Sequence, residues 1–313
     1  MNTTDKKATR QGYGDALMDM AHNEKIVVLS ADLTESTKTH MFEKKYPKRF
    51  FQCGIAEQNM VGMAVGLALS GKIPFVSTFA AFVPSRVLDQ VRVSVCYSNA
   101  NVKFGSTHAG ITVGGDGATH QAMEDIAAMR SLPNMTVVVP CDYEETKKAV
   151  KQAVIIKGPV YLRLGRSKLP QITGRTTPFH IGKAEIFRKG DDVTIIACGV
   201  MVHEALKAAE KLDEEGIEAE VINNHTIKPI DEEKIIKSAK KTGAIVTAEE
   251  HQKHGGLGSA VAEVIVKHRP VPMEFVAVND TFGESGEPDE LMEKYKITSK
   301  DIVRAAKKVI KRK

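Results

Sequence analysis

The feature of this sequence that most constrains the fold is an alternation of short, continuous apolar runs with longer segments of helical periodicity. Continuous apolar runs are typical of strands that are buried on both faces, as in parallel sheets covered by helices. The alternation stops once, over residues 166–183, where glycine, proline and polar residues predominate and indicate a linker. The sequence therefore predicts two doubly wound, mostly parallel α/β domains, at residues 1–165 and 184–313.

The same patterns predict the individual elements of each half. In the first half the predicted strands are Ile26–Ser30, Pro74–Ser77, Val102–Ser106, Thr136–Val139 and Val160–Leu164, and the predicted helices are Ala8–His22, Ala56–Leu69, Pro84–Tyr97, Gln121–Ser131 and Glu144–Ile155. In the second half the predicted strands are Val193–Ala197, Ala219–Ile222, Ala244–Thr247 and Glu274–Ala277. Its predicted helices are Val202–Glu215, Glu232–Lys240 and Gly258–Lys267, followed by two charged helices.

Composition and charge exclude several classes of protein. Apolar residues make up 42% and charged residues 27% of the chain, which is typical of a globular protein and excludes a disordered or fibrous one. The net charge of +5 comes mostly from the carboxyl-terminal tail, and aromatic residues are only 5%, so we expect no nucleic-acid partner.

The compartment is predicted from the apolar segments and the cysteines. The longest apolar stretch, Met60–Leu69, is too short to span a bilayer, so we expect no membrane association. The first residues contain no apolar segment of the kind found in a secretory signal. The four cysteines lie far apart without a CxxC pattern, which is typical of reduced thiols. These features favour a cytoplasmic location.

Glu57 is the first candidate for function. Ligands of open α/β sheets bind beyond the carboxyl ends of strands, and the polar residues that follow strands are densest in the first half. Glu57 follows a glycine turn and opens a predicted helix, so from its position alone it offsets the helix dipole. Its apolar neighbours Ile55, Ala56, Met60 and Val61 favour the protonated carboxyl, which could share its proton with a heterocyclic nitrogen.

Two phenylalanines and a long polar loop follow the next two strands. Phe79 and Phe82 could be core aromatics, or they could line an apolar slot for a flat ring. The loop Thr107–Gln121 carries His108, Asp116 and His120 among several glycines. Ordering so polar a loop costs conformational entropy, and its histidine spacing is poor for a metal, so we interpret it as a site for a small hydroxylated substrate.

Basic residues suggest that this ligand is anionic. Arg10, Arg163 and Arg166 lie near helix starts or strand ends, and although most such arginines are solvated or paired with acids, a guanidinium can bind phosphate in bidentate fashion. Gly115-Asp116-Gly117 resembles the start of the magnesium–diphosphate motif of thiamine diphosphate enzymes. That motif needs an asparagine about thirty residues later, and Asn134 follows too closely, so no metal site is assigned to this chain.

Taken together, these segments resemble the C-terminal half of transketolase. The resemblance covers the first domain in order and continues more weakly through the second. It is most specific in the loop Asp-Gly-x-Thr-His-Gln. The similar stretches are Ser30–Leu33, Gly54–Met60, Ser77–Phe79, Thr107–Gln121 and Arg166.

The resemblance implies a role for each matching residue. Glu57 matches the glutamate that hydrogen-bonds N1′ of the cofactor's aminopyrimidine, a contact that favours the imino tautomer. Phe79 and Phe82 match the aromatic pocket around that ring, and Asp32 matches a residue near the cofactor. Asp116 matches the aspartate that reads the substrate C2 hydroxyl, and His120 matches a histidine near the reacting groups. The residues that match the sugar-phosphate site are Arg10, Ser36, His108 and Arg166.

A complete transketolase is much longer, because it also carries the domain that binds diphosphate and metal. The resemblance therefore implies the C-terminal subunit of a split transketolase of the pentose phosphate pathway, which moves a two-carbon ketol unit between ketose and aldose phosphates. Its expected cofactors are thiamine diphosphate and Mg²⁺ (or Ca²⁺), the metal being bound through an N-terminal partner subunit. The expected assembly is an α2β2 heterotetramer.

Two departures keep alternatives open. A third aromatic of the pyrimidine pocket falls near Pro84 and Ser85, so that wall of the pocket is altered. Glu250-His251 and the glycine-rich Gly255–Ser259 look more like deoxyxylulose-phosphate synthase and the β subunits of 2-oxo acid dehydrogenases. The alternative functions are such a β subunit or another thiamine diphosphate enzyme, and then a non-catalytic paralogue that binds a partner or nucleotide.

Overall fold

The structure, a computed structural model, describes residues 6–313. The chain forms two main β-sheets, and helices pack against both of them, as the sequence predicts. The strands up to residue 170 are β1 (Lys6–Ala8), β2 (Ile26–Ser30), β3 (Phe50–Gln52), β4 (Ile73–Phe79), β5 (Lys103–Thr107), β6 (Thr136–Val138), β7 (Val160–Arg163) and β8 (Lys168–Pro170). The helices of this part are α1 (Thr9–Asp19), α2 (Thr34–Thr37), α3 (His40–Lys45), α4 (Glu57–Leu69), α5 (Phe82–Gln90), α6 (Asp125–Ser131) and α7 (Tyr143–Ile155).

The remaining elements belong to the second half. Its strands are β9 (Glu185–Arg188), β10 (Val193–Ala197), β11 (Ala219–Asn223), β12 (Thr226–Lys228), β13 (Ile245–Gln252) and β14 (Met273–Val278). Its helices are α8 (Met201–Asp213), α9 (Glu232–Thr242), α10 (Leu257–His268), α11 (Pro288–Lys294) and α12 (Ser299–Ile310).

The first sheet has seven strands in the order β12-β6-β7-β5-β4-β2-β3. All neighbours pair in parallel except β12 and β6. Every residue of β2, β5 and β7 is buried, because apolar side chains on both faces pack under helices. The carboxyl ends of β2, β4 and β5 therefore meet at one edge, where the loops that carry the candidate residues emerge.

The second sheet has five strands in the order β14-β13-β10-β11-β9. Its strands are parallel except β9, which pairs antiparallel with β11. One face packs against α8 and α12, whose apolar stripes are buried in a common core, and α9 and α10 cover the other. The prediction of two mostly parallel α/β domains is confirmed.

The two halves are physically interlocked. Strand β12 comes from the second half but pairs with β6 at the edge of the first sheet. Within the predicted linker, Lys168–Pro170 form β8, which pairs with β1. The Asp142 carboxylate caps α7 and also accepts hydrogen bonds from the backbone N–H groups of Ile172 and Thr173, at 2.8 and 2.6 Å. The segment between the sheets is therefore held by specific contacts.

Several predicted boundaries differ from the observed ones. The helix predicted over Pro84–Tyr97 begins at Phe82 and becomes a π-helix over Val91–Tyr97. The helix predicted from Gln121 begins at Asp125, because Gln121 instead serves the preceding loop. Residues 1–5, on which part of the expectation about a secretory signal depends, lie outside the described residues. Within residues 6–313, no helix combines the length and apolarity needed to cross a membrane.

Candidate active site

Four rings from three segments form an aromatic cluster at the carboxyl edge of the first sheet. Phe79 ends β4 and Phe82 begins α5, and their rings stack with centroids 5.5 Å apart. The His108 ring stacks on Phe79 at 3.9 Å, and the His120 ring lies edge-on to Phe82 at 5.6 Å. The cluster is open on the Phe82 side, since Phe82 and His120 are both partly exposed. It offers flat apolar faces next to polar ring nitrogens.

Glu57 lies beside this cluster as the first residue of α4. Its side chain is only 5% exposed, and its Oε1 accepts a hydrogen bond from Arg86 Nη1 at 2.7 Å. The expected apolar surroundings are only partly present, because Ile55 is 76% exposed while Met60 and Val61 are buried. The expectation of an apolar collar was therefore wrong for Ile55 and Ala56, which are exposed, and a guanidinium contacts the carboxylate.

Arg10 and its neighbours form a basic pocket. Arg10, on α1, donates from Nη1 to the Ser36 carbonyl at 3.0 Å, and the same atom lies 3.3 Å from His108 Nε2. Arg10 Nε is buried without a hydrogen-bond partner among residues 6–313. Within those residues no carboxylate lies within ion-pair distance of Arg10. Burial and the nearby Arg166 charge lower the pKa of Arg10. An unpaired donor and a surplus of cations suit an anionic ligand.

Arg166 and Asp116 lie on the other side of this pocket. Arg166 Nη1 donates to the Val113 carbonyl at 2.5 Å and lies 3.8 Å from Asp116 Oδ1. Both side chains remain more than a third exposed, so they can reorient toward a ligand. His120 Nδ1 lies 2.9 Å from the Thr119 hydroxyl.

His108 is a neutral imidazole at physiological pH. Burial lowers its pKa to about 3, with further lowering by the charges of Arg10 and Arg166. Its backbone has φ of 57°, a left-handed conformation that turns the chain sharply after β5. The Nδ1 atom lies 2.9 Å from the Thr107 hydroxyl, which leaves Nε2 facing Arg10. His108 can therefore exchange hydrogen bonds in the pocket without adding charge.

The second half of the chain holds the loop Thr107–Gln121 in place. The Glu250 carboxylate accepts the Thr112 N–H at 2.5 Å, and Gly110 has φ of 83° and a Cβ position filled by that carboxyl. Gln121 Nε2 donates to the Ile111 carbonyl at 3.1 Å and to the Glu284 carbonyl at 2.9 Å. These contacts offset the entropy cost of ordering the loop.

Sequence reasoning missed these supporting roles, although Glu249, Glu250 and His251 stand out in the sequence as polar residues after a strand. In the structure all three are buried, and Glu249 accepts the first N–H groups of α10 at 2.7 and 2.8 Å. Arg163, a candidate for anion binding, is buried against Asp125 at 2.8 Å and donates to the Glu250 carbonyl. These side chains hold neighbouring segments of the fold together.

Asp32 and Ser36 are less directly connected to the cluster. Asp32 follows β2 with φ of 59°, and its backbone N–H donates to Gln52 Oε1 at 2.8 Å. Its carboxylate is exposed, and within residues 6–313 it has no hydrogen bond or ion pair with the other candidates. Ser36 joins the pocket through its carbonyl rather than its hydroxyl.

The residues present fit a flat heterocycle beside an anion. Phe79 and Phe82 provide aromatic faces, and Glu57 provides a buried acceptor that Arg86 connects to Phe82. Arg10, with its unpartnered Nε, provides an anion site on the other side of His108. In the part of the chain that the structure describes, no three His, Cys, Asp or Glu side chains gather as metal ligands.

Comparisons with known proteins identify relatives of both halves. Residues 5–171 match the transketolase pyrimidine-binding domain family, and residues 182–302 match the transketolase C-terminal domain family. The chain is 48% identical over 305 residues to a 6-deoxy-6-sulfo-D-fructose transketolase subunit of Clostridium sp. (strain MSTE9), covering 97% of this chain and 95% of the relative.

Two further comparisons extend this picture. The chain is 40% identical over 311 residues to the transketolase of Homo sapiens, covering 98% of this chain but only 49% of that protein. A solved structure described as a split gene transketolase, inactive beta4 tetramer, superposes with a TM-score of 0.91 at 49% identity, covering 99% of this chain and 100% of that chain.

Proposed function

This chain belongs to the transketolase family, whose enzymes depend on thiamine diphosphate, and we propose that it is the C-terminal subunit of a two-subunit transketolase. In this proposal the assembled enzyme moves a two-carbon ketol unit from a ketose phosphate to an aldose phosphate. The observation that carries the proposal is the juxtaposition of a buried carboxylate and stacked aromatic rings with a basic pocket that has an unpartnered donor.

The cofactor side of the site is assigned to Glu57, Phe79 and Phe82, and Asp32 is added to it from the family resemblance alone. Bound thiamine diphosphate supplies a carbon nucleophile that can take up the ketol unit. Glu57, whose carboxylate is buried, would hold a proton at a ring nitrogen of the aminopyrimidine. Phe82 would bind a flat face of that ring and exclude water from it, and Phe79, stacked on Phe82, would hold the Phe82 ring in place.

The substrate side is assigned to the basic pocket and the loop. Arg10, Ser36, His108 and Arg166 would bind the terminal phosphate, the two arginines with charge and His108 as a neutral hydrogen-bonding partner. Asp116 would read the C2 hydroxyl and His120 the reacting carbonyl and hydroxyl groups. The partial exposure of Asp116 and His120 supports these roles, because a substrate can reach both.

The assembly is proposed from what this chain lacks and what it exposes. The diphosphate and its Mg²⁺ (or Ca²⁺) would be bound through an N-terminal partner, since this chain spans about half of the human relative. Exposed apolar side chains at both ends of α4, on α5 and on the following π-helix support an α2β2 heterotetramer. These residues are Ile55, Leu69, Leu88, Val93 and Tyr97.

The preference for phosphate over sulfonate is also a proposal. The name of the Clostridium relative specifies a sulfonated sugar, whereas another relative is named for a sugar phosphate, so relatives differ in the anionic group of the substrate. Two arginines close to one pocket suit a dianionic phosphate better than a monoanionic sulfonate. On this basis we assign sugar phosphates as substrates and the pentose phosphate pathway as their source.

The test compares donors with and without the anionic group. The chain is purified with its partner, and KM is measured for xylulose 5-phosphate and for xylulose, with ribose 5-phosphate as acceptor. We expect Arg166→Gln to raise KM for the phosphorylated donor about 10- to 100-fold and to change KM for xylulose little. The control is Arg175→Gln, which changes an exposed arginine outside the site.

Three results would contradict the assignment. Equal effects of Arg166→Gln on both donors would remove the phosphate role of that residue. If 6-deoxy-6-sulfo-D-fructose, assayed as a third donor, has a lower KM than xylulose 5-phosphate, the pocket is assigned to a sulfonate instead of a phosphate. Turnover of 2-oxo acids without sugar transfer would favour the β subunit of a 2-oxo acid dehydrogenase.

A further inference from the structure

Arg86 makes two contacts in the proposed cofactor site. Its guanidinium carbon lies 3.8 Å from the centroid of the Phe82 ring, and its Nη1 donates to Glu57 Oε1 at 2.7 Å. The guanidinium is flat, it stacks on an aromatic face, and it donates a hydrogen bond to a buried carboxylate. Within residues 6–313 its guanidinium has no other hydrogen-bond or ion-pair partner.

The position of Arg86 follows from the helix that carries it. Phe82 and Arg86 are four residues apart on α5, so their side chains lie on the same face, one turn apart. Helix α4 begins with Glu57 and packs against α5, which brings the carboxylate to that face. The Arg86 side chain is 46% exposed, so its guanidinium can leave for solvent without a change in the backbone.

These two contacts are the same ones that the proposed function assigns to the cofactor's aminopyrimidine. A flat heterocycle cannot lie on the open face of Phe82 and reach Glu57 Oε1 while the guanidinium is there. We infer that Arg86 is a placeholder, which neutralises Glu57 and covers Phe82 in the cofactor-free subunit and is displaced when the pyrimidine binds. The inference rests on the proposed function, because it takes Glu57 as the pyrimidine acceptor.

A placeholder has a measurable cost for binding. Only the fraction of molecules with Arg86 displaced can accept the ring, so the apparent Kd is raised by the inverse of that fraction. Removing a partly exposed ion pair and a cation–π contact is expected to tighten cofactor binding about five- to tenfold. Damage to a binding site weakens binding, so the direction of the change separates a placeholder from a structural residue.

The experiment measures the Kd of thiamine diphosphate for the complex with the N-terminal partner, by calorimetry in Mg²⁺. Arg86→Met keeps the side-chain length and removes both contacts, and we expect it to lower Kd about five- to tenfold. Arg86→Lys keeps the positive charge but loses the planar guanidinium group, so we expect a smaller decrease in Kd. Arg175→Met is the control for loss of an exposed arginine, and we expect no change.

The Glu57→Gln complex, measured in parallel, separates the two claims. If Glu57→Gln binds more weakly while Arg86→Met leaves Kd unchanged or raises it, the placeholder inference is overturned and the proposed function stands. If the wild-type complex binds no thiamine diphosphate, the proposed function fails and the inference fails with it. Tighter binding by Arg86→Met together with weaker binding by Glu57→Gln supports both.

Discussion

His108 and His225 are two buried histidines whose pKa values are lowered by burial to the same extent, but which lie in different surroundings. Burial lowers the pKa of each to about 3. His108 stacks on Phe79 in the basic pocket, whereas His225 stacks on Phe179 at 4.2 Å, away from it. The pair therefore allows effects on stability to be separated from effects on substrate binding.

Both histidines make the folded chain less stable in acid. The unfolded state takes up a proton near the ordinary histidine pKa of about 6.5, while the folded state does so only near 3, so stability falls as pH decreases between these values. Between pH 7 and pH 5 each site is expected to cost about 2 kcal/mol. Melting temperatures at a series of pH values should therefore fall less steeply for His108→Asn and for His225→Asn than for the wild type. Parallel curves would show that neither imidazole is held neutral.

The two variants are expected to differ in catalysis. His108→Asn should raise KM for the phosphorylated donor in the assembled enzyme, because a hydrogen-bonding partner of the phosphate is lost. His225→Asn should leave KM unchanged, since it contacts no proposed substrate residue. A similar rise in KM for both variants would mean that packing alone is responsible.

Glu57 is the residue on which the proposed chemistry depends most. Glu57→Gln keeps the shape of the side chain and removes the proton that it would hold, so kcat of the assembled enzyme should fall about 10²- to 10⁴-fold. The circular dichroism spectrum and melting temperature of the subunit should stay close to wild type. Glu214→Gln, on an exposed surface, is the matched control. Retained activity in Glu57→Gln would exclude this role.

At the scale of elements, helix caps fix the geometry between the sheets. Asp142 caps α7, where its carboxylate accepts the Glu145 N–H at 2.8 Å, and it also binds the N–H groups of Ile172 and Thr173. Thr298 caps α12 in a capping box whose hydrogen bonds, among residues 6–313, stay within its own helix. A cap that also holds a distant segment should contribute more than a local one.

We expect Asp142→Ala to lower the free energy of unfolding by about 3 kcal/mol, because a cap and several hydrogen bonds to a charged group are lost. Thr298→Ala is expected to lower it by about 1 kcal/mol. Urea titration monitored by circular dichroism measures both. Equal losses would show that the contacts to residues 172 and 173 contribute nothing.

The sequence predicted those elements whose signal is local. The continuous apolar runs gave β2, β4, β5, β7 and β10 close to their observed bounds, because burial on both faces requires such runs. Strand β12 was missed, since three residues that pair with a distant strand carry no periodicity of their own. The π-helix after α5 was predicted as a continuation of the helix, because both have similar apolar spacing.

The candidate site likewise has a part that the sequence predicts and a part that it does not. Its residues were predicted because they match family motifs and most lie near a strand end or a helix start, and the structure brings Glu57, Phe79, Phe82, His108 and Arg10 to one edge. The contacts of Arg86 with Glu57 and of Glu250 with Thr112 were not predicted, because they join residues far apart in sequence or on different helices. Such contacts depend on tertiary packing.

At the scale of the whole molecule, the two halves are coupled through buried charge. Arg163 at the end of β7 pairs with Asp125 at 2.8 Å and donates to the carbonyl of Glu250 in the second half, at 2.9 Å. Strand β12 adds a second connection across the proposed boundaries at residues 165 and 184. Those boundaries remain a prediction, whereas the contacts across them imply cooperative folding.

Calorimetry should therefore record one unfolding transition for the full chain. Arg163→Met should lower the free energy of unfolding by about 3–5 kcal/mol and move the single transition to lower temperature, because it leaves the Asp125 carboxylate buried without its partner. Arg304→Met, which removes an exposed ion pair with Asp301, should cost about 0–1 kcal/mol. Two separate transitions in the wild type would contradict the coupling.

The measurement that tests the central claim most directly is the formation of sedoheptulose 7-phosphate from xylulose 5-phosphate and ribose 5-phosphate. The assay contains thiamine diphosphate and Mg²⁺ and compares this chain alone, an N-terminal partner alone and the two together. The proposed function predicts product only in the mixture, and its loss when Glu57→Gln replaces the wild-type chain. A stable complex that transfers no ketol unit between these sugars, or product formed by this chain alone, would contradict it.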